Sequence, residues 1–277
     1  MAMRTDFVFS QASLQDYVDC KRRFYYRFKE RLSWPAIEAE PILENEKRMI
    51  RGAQFHRLVQ QYYLGVAEGA LENAADAAQI SRWWKNFIDF CPVERDKVVF
   101  NEKLIGLEFR SFRLVAKFDL ISNNEDGVIR IFDWKTSRNR PKREFVAERM
   151  QTRIYPFVIS NVAEKLFPGM ETRPDKIEMV YWYAGYPDAP EVFRYSDEQK
   201  TEDESFLLEK INEINALDNR ADFPLTEDLK RCQYCVYRSL CDRGEHAGNL
   251  ENYDPEFESV EEEEIFINLN EIDQIEI

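Results

Sequence analysis

LVAKFDLI at residues 114–121, followed by IFDWKT at residues 131–136, decides how this chain folds. Both stretches are apolar runs of strand length, rich in β-branched and aromatic side chains. Residues 123–127 between them read NNEDG, with Asn, Asp and Gly where a hairpin turn needs them. Strand side chains alternate between faces, so Asp133 and Lys135, two apart, project from the same side. The hairpin lets Asp119 lie beside Asp133. Two carboxylates and an ammonium then meet at a sheet edge. Such a donor set suits a hard divalent cation, Mg2+ or Mn2+. Lys135 can orient or deprotonate a water and offset charge on an anionic reaction centre. An isolated D-x-K is usually a solvated ion pair, but here both acids interrupt otherwise apolar strands.

Working outward, residues 10–30 read as a helix capped by Ser10, with Leu14, Tyr17, Val18, Phe24 and Phe28 at helical spacing. Two further helices are expected over residues 46–64 and 71–90, after a connector with two prolines. A strand is expected at 98–107. Residues 144–167 return to helical spacing, with Pro156 expected to kink the helix or remove one backbone bond. Strands at 177–184 and 192–195 and an amphipathic helix at 201–217 follow. This order suggests an α/β core set into helical material.

At 277 residues, with 20 Phe, 13 Tyr and 5 Trp, the chain can bury a large core. No apolar stretch reaches membrane-spanning length and the N-terminus lacks a signal-peptide core. The expectation is a cytoplasmic protein with no membrane association, where clustered cysteines more often bind metal than form disulfides. The net charge of −14 is uneven: residues 251–277 hold 11 acidic and no basic residues. Without them 38 basic face 41 acidic residues, a net of −3. A nearly neutral body neither requires nor excludes nucleic acid, because local basic grooves can still hold phosphates.

Four of the five cysteines form a pattern. Residues 231–241 (RCQYCVYRSLC) carry Cys232, Cys235 and Cys241, and Cys20 lies far upstream in VDCKRRFYYR, residues 18–27. Four thiolates converging from both ends of the chain would hold iron–sulfur or zinc, and spacing alone does not separate the two. Cys91, before Pro92, reads as a buried free thiol, or alternatively as a replacement for Cys20.

Taken in order, these features resemble the PD-(D/E)XK nucleases, in particular the RecB-like branch that carries an iron–sulfur cluster. That branch includes the AddB nuclease domain, the CRISPR adaptation nucleases and the exonuclease V family. The matching features are the Cys20 helix with its basic and aromatic residues, GAQFH at 52–56, the Asp119 strand, DWKT at 133–136, QTRIY at 151–155 and the late cysteines. They span residues 10–242. The resemblance implies a restriction-endonuclease-like core, a central mixed sheet flanked by helices with an N-terminal helical block, and termini joined by the four-cysteine cluster. It implies a nuclease domain over residues 1–250 with a helical insertion at about 34–92 and a cluster loop at 231–242. His56, Asp119 and Asp133, helped by the Trp134 carbonyl, would ligate the catalytic Mg2+ or Mn2+, and Lys135 would position the attacking water. Gln151 and Tyr155 would line the site, contacting nucleic acid or holding Lys135. Cys20, Cys232, Cys235 and Cys241 would hold a 4Fe–4S cluster in preference to zinc. The implied activity is hydrolysis of DNA, with single strands or exposed ends as substrate and a 5′-phosphate and 3′-hydroxyl as products, in repair, CRISPR adaptation or defence.

Other readings stay beside this one. The chain could be a nuclease-like binding or scaffolding subunit without turnover. No GxxxxGK[ST] motif occurs, so unwinding would need a separate helicase partner. RNRPKR at 138–143 could hold phosphates near the metal. Residues 21–27 could stack and neutralise single-stranded nucleic acid or pack inward around the cluster. The tail, residues 251–277, is expected to be flexible in its first half. Its apolar end is expected to dock on a partner or on the body itself.

Overall fold

In the computed structural model, residues 7–32, 40–91, 93–123, 127–170, 172–233, 235–244 and 273–275 are described. The hairpin tip at 124–126 and most of the acidic tail lie outside them. The chain opens with a strand not expected from sequence, β1 (Val8–Ser10), hidden in an aromatic tripeptide. Ser10 then caps α1 (Gln11–Asp19), its side chain accepting from the Ser13 N–H. The expected helix over 10–30 breaks at Cys20, whose backbone is extended, and resumes as α2 (Lys21–Phe24) and a π-helical turn (Tyr25–Lys29). Three helices follow: α3 (Glu40–Tyr63), α4 (Glu68–Ala77) and α5 (Ser81–Phe90). The last two replace the single helix expected over 71–90.

The sheet strands are β2 (Val98–Phe109), β3 (Phe112–Asn123), β4 (Ile129–Lys135), β5 (Ile177–Tyr183), β6 (Glu191–Arg194) and β7 (Asp273–Ile275). Between β4 and β5 come α6 (Arg143–Ala147) and α7 (Met150–Leu166). After β6 come α8 (Asp197–Ala216) and α9 (Leu229–Cys232). Helix α7 runs through Pro156 without ending there.

The strands lie in the order β6-β5-β4-β3-β2-β7, and β1 also pairs with β3. The sheet is mixed: β2–β3, β3–β4 and β5–β6 are antiparallel, while β4–β5, β1–β3 and β2–β7 are parallel. β2 occupies one edge of β3 along its length. β1 and β4 share the other edge, β1 against residues 113–115 and β4 against residues 120–123. β3 and β4 therefore part just before Leu120. The end of the tail pairs with β2 at Ile105, Gly106 and Leu107.

Each face of the sheet buries its own apolar layer. Ile131, Met179 and Tyr181 face a core shared with α1, α7 and α8, including Leu14, Ile154, Val158 and Leu207. The alternate residues Phe132, Trp134, Val180 and Trp182 face Phe55, Val59, Tyr62, Trp84 and Phe87 of α3 and α5. No described helix is long and apolar enough to cross a membrane.

The N-terminal helices are fastened by buried charge. Asp16 pairs with Arg23 at 2.8 Å and Arg27 at 2.9 Å, and Asp19 pairs with Arg23 at 2.9 Å and Arg231 at 2.7 Å. Phe24 and Tyr26 are buried. The basic–aromatic run at 21–27 therefore packs inward, and its Arg23 and Arg27 are not available to nucleic acid.

Candidate active site

The site forms where β3 and β4 diverge. The ladder between them stops at Leu120 opposite Phe132. One residue further, Asp119 Oδ2 accepts the backbone N–H of Trp134 at 2.8 Å, replacing the lost strand pairing. The Trp134 peptide thus lies beside Asp119, while its indole belongs to the core under α3 and α5. Asp119 Oδ1 lies 3.3 Å from His56 Nδ1.

His56 reaches Asp119 because α3 crosses close to the end of β4. Gly52 sits one helical turn before His56, and a Cβ there would come within 2.9 Å of Thr136 Oγ1. A side chain at position 52 would need Thr136 Oγ1 or α3 to shift. Further along α3, the Gln60 carbonyl accepts from Asn101 Nδ2 of β2 at 2.9 Å.

Asp133 turns to the opposite layer. Its Oδ1 accepts from Gln151 Nε2 of α7. Lys135 Nζ lies 2.7 Å from Asp133 Oδ2 and 3.0 Å from Gln151 Oε1. Gln151 therefore hydrogen-bonds both Asp133 and Lys135. Asp133 is only 4% exposed, and burial pushes its carboxyl up to about 6, against the pull of Lys135. Asp119 is equally desolvated, yet His56 and the Trp134 N–H hold its carboxyl below the usual range. The two carboxyls feel each other's charge. Asp119 is thus approached by His56 of α3, whereas Asp133 is held by Gln151 of α7 and by Lys135.

Tyr155 is placed differently from the sequence expectation of a lining residue. It is 1% exposed and its ring packs 4.7 Å from that of Phe118. It supports the strand carrying Asp119 from within the core.

Sequence reasoning missed Glu102. Asn101 pairs with Leu120 and Lys103 with Phe118, so Glu102 lies across from Asp119, where the regular pairing is interrupted. His56, Glu102 and Asp119 form a group of three donor side chains within 4.8 Å of one another. The signal was present, since Glu102 is the only acid in residues 98–107 and interrupts an apolar strand as Asp119 and Asp133 do.

The expected phosphate-binding run at 138–143 is partly committed elsewhere. Arg140 and Arg143 both pair with Glu191 of β6, leaving exposed Arg138 and Lys142 on that loop.

At the joined ends of the chain, Cys20 contributes charge at Cys232, Cys235 and Cys241, and burial raises all three of those thiols, Cys235 to about 11. The Arg23 guanidinium faces Cys20 and Cys235. Cys91 lies instead beside Tyr62 Oη at 3.4 Å, which removes it as a replacement for Cys20. No three cysteine sulfurs among the described residues come within 4.8 Å of one another.

A family model described as the PD-(D/E)XK nuclease superfamily matches residues 8–242. The chain belongs to this superfamily. Its fold class, an α/β core with a central mixed sheet between helices, agrees with the restriction-endonuclease-like architecture, and its members are metal-dependent nucleases. Two solved structures are similar to it. The crystal structure of SSO0001 is 16% identical with a TM-score of 0.41, covering 87% of this chain and 88% of that one. A Eubacterium rectale protein provisionally described as an exonuclease is 13% identical with a TM-score of 0.44, covering 78% and 84%. No curated protein matches the chain.

The donors fit the divalent ion that the superfamily implies. A histidine nitrogen and the carboxylate oxygens of Glu102 and Asp119 converge within 4.8 Å of one another, a donor set suited to a hard cation.

Proposed function

We propose that this PD-(D/E)XK protein is a Mg2+- or Mn2+-dependent deoxyribonuclease of the RecB-like branch, an exonuclease acting on single-stranded DNA or DNA ends. The observation that carries this reading is the position of Lys135. Its Nζ is fixed between Asp133 Oδ2 and Gln151 Oε1, and its charge is felt at Asp119.

His56, Asp119 and Asp133, with the Trp134 carbonyl, would hold the ion. When bound, it supplies Lewis acidity at the scissile phosphate and a more acidic water. The protein's own contribution is placement. Lys135 orients the water for in-line attack and offsets negative charge that grows on the phosphoryl oxygens. Gln151 restricts Lys135 to that task. Tyr155 and Phe118 keep the Asp119 strand rigid from below.

Cys20, Cys232, Cys235 and Cys241 would hold a 4Fe–4S cluster that clasps the termini around the nuclease core. Arg23, facing Cys20 and Cys235, would balance thiolate charge. Loss of the cluster should loosen the domain, because metal binding and folding are coupled.

The test is cleavage of 5′- and 3′-labelled single strands by the anaerobically purified protein with Mn2+ or Mg2+. Cleavage by the parent, and its loss in Asp133→Ala and Lys135→Ala, is the expected result. If both variants cut as fast as the parent, the proposal fails. Tight DNA binding without cleavage under any divalent ion would instead mark a binding subunit.

A further inference from the structure

We propose that Gln15 of α1 is a positioning residue for the reaction: it fixes the first residue of α7 and, through the adjoining Gln151, the place of Lys135. The inference rests on the nuclease reading above and deepens it.

The first turn of α7 carries part of the site. Gln151 accepts from Lys135 and donates to Asp133, so movement of that turn is felt by both. A helix start leaves backbone N–H groups with no partner in the helix, and Arg149, at the N-cap of α7, supplies no side-chain bond to them. The partner comes from another helix. Gln15 Oε1 accepts the Met150 N–H at 2.9 Å, from 135 residues away in sequence. The other end of the same amide, Nε2, donates to Asp19 Oδ1 at 2.9 Å. A carboxylate only accepts and a backbone N–H only donates, so one orientation of the amide satisfies both neighbours. Asp19 is itself fixed, with Arg231 2.7 Å from its Oδ1 and Arg23 2.9 Å from its Oδ2. Gln15, Asp19 and Gln151 are all buried. A run of polar contacts thus leads from Asp19 through Gln15 and the start of α7 to Lys135.

The alternative is that Gln15 caps a helix and contributes stability alone. The place of the cap decides against it. The capped residue adjoins Gln151, while the next two residues of the turn are tied by other means. Thr152 Oγ1 donates to the Val146 carbonyl at 2.6 Å, and Arg153 lies 2.6 Å from Asp203. With those ties in place, loss of Gln15 leaves α7 folded and frees its first residue. The effect then falls on the geometry of Gln151 and Lys135 rather than on the fold.

The experiment is steady-state cleavage of a labelled single strand with Mn2+ by the full chain in a double-mutant cycle, with amide hydrogen exchange of the metal-free protein beside it. Gln15→Met removes both bonds at similar side-chain length. It should speed exchange at the Met150 N–H and lower kcat about tenfold, while KM stays within about twofold because Gln15 is buried. Since Gln15 acts through Gln151, the same change in a Gln151→Ala background should lower kcat by no more than about twofold, the non-additivity of residues in one network. A residue that only stabilises the fold lowers kcat by one factor in both backgrounds, and that result overturns the proposal. So does a parent-like kcat, or parent-like exchange at Met150, in Gln15→Met. Should Gln15→Met not fold, Gln15→Asn, one methylene too short to span Asp19 and Met150, takes its place under the same criteria. If Gln151→Ala cuts as fast as the parent, the reading of the Lys135 site fails and the proposal with it. If the parent cuts under no divalent ion, the nuclease reading fails, again with the proposal. Both differ from failure of Gln15 alone, in which Gln151→Ala is slow and Gln15→Met is not.

Discussion

The backbone N–H of Trp134 donates to Asp119 Oδ2 across 2.8 Å at the point where β3 leaves β4. One carboxylate thus serves two ends: it closes a gap in the sheet and presents its other oxygen to His56. The two tasks separate by substitution. Asp119→Asn retains an acceptor for the Trp134 N–H but loses the charge. It should denature near the parent temperature and show no metal-dependent cleavage. Asp119→Leu also orphans a buried N–H and should cost a further 1–3 kcal/mol, on the order of the penalty for an unsatisfied buried donor. Chemical denaturation of the two variants checks this; equal stability would show that the bond closes nothing.

Gly52 sets the distance between α3 and β4. In an ordinary helix, Gly→Ala adds about 1 kcal/mol of stability. Here the new methyl would meet Thr136 Oγ1 at 2.9 Å, and relief by moving α3 displaces His56, one turn along. Misplacements of this size cost about tenfold to a hundredfold in rate. Gly52→Ala should therefore cut more slowly while melting no earlier than the parent. Adding Thr136→Ala removes the obstructing oxygen and should restore activity. Absence of rescue in the double variant would show that the contact does not set the geometry.

Much of this was legible in the chain. Asp119, Asp133 and Lys135 stood out because charge inside an apolar strand has few ordinary explanations, and the hairpin turn fixed their proximity. Gln151 was reached through the family pattern, and the structure gives it a partner in Lys135. Three features were not read. Glu102 carries the same signal, but its role depends on cross-strand register with Asp119, which one strand cannot show. Tyr155 sat within a motif, yet helix phase turns it to Phe118 and the core. The break of the first helix at Cys20 was masked by continuous apolar spacing. It goes with tertiary ties, since Arg23 of α2 turns back to pair with Asp16 and Asp19 of α1, and Asp19 also pairs with Arg231.

Acid should loosen this same corner. Glu213 of α8 is hydrogen-bonded by Lys210, Lys21 and the Tyr17 hydroxyl, and these donors hold its carboxyl down to about 2, from an ordinary value of 4.5. A carboxyl with a lowered folded-state value stabilises above its unfolded value, and that contribution disappears as pH falls through the folded one. The loss therefore falls between pH 4.5 and about 2. Melting temperatures recorded across this window should drop more steeply for the parent than for Glu213→Gln, which has no such proton to bind. Parallel curves would show that Glu213 contributes no pH dependence.

The end of the tail makes a prediction of a different kind. β7 covers the backbone of β2 at Ile105, Gly106 and Leu107 in a parallel arrangement. Without β7 those residues present unpaired N–H and C=O groups on the outer edge of a 12-residue strand. Exposed edges of that length invite pairing with another chain. Truncation after Asn249 should therefore produce concentration-dependent self-association, visible by light scattering, and the parent should not show it. Association should weaken when Gly106→Pro is added, because proline cannot donate in a ladder and introduces steric bulk at the edge. A truncated protein that stays monomeric, with the parent's melting temperature, would show that the strand pairing at β2 contributes nothing to the folded state.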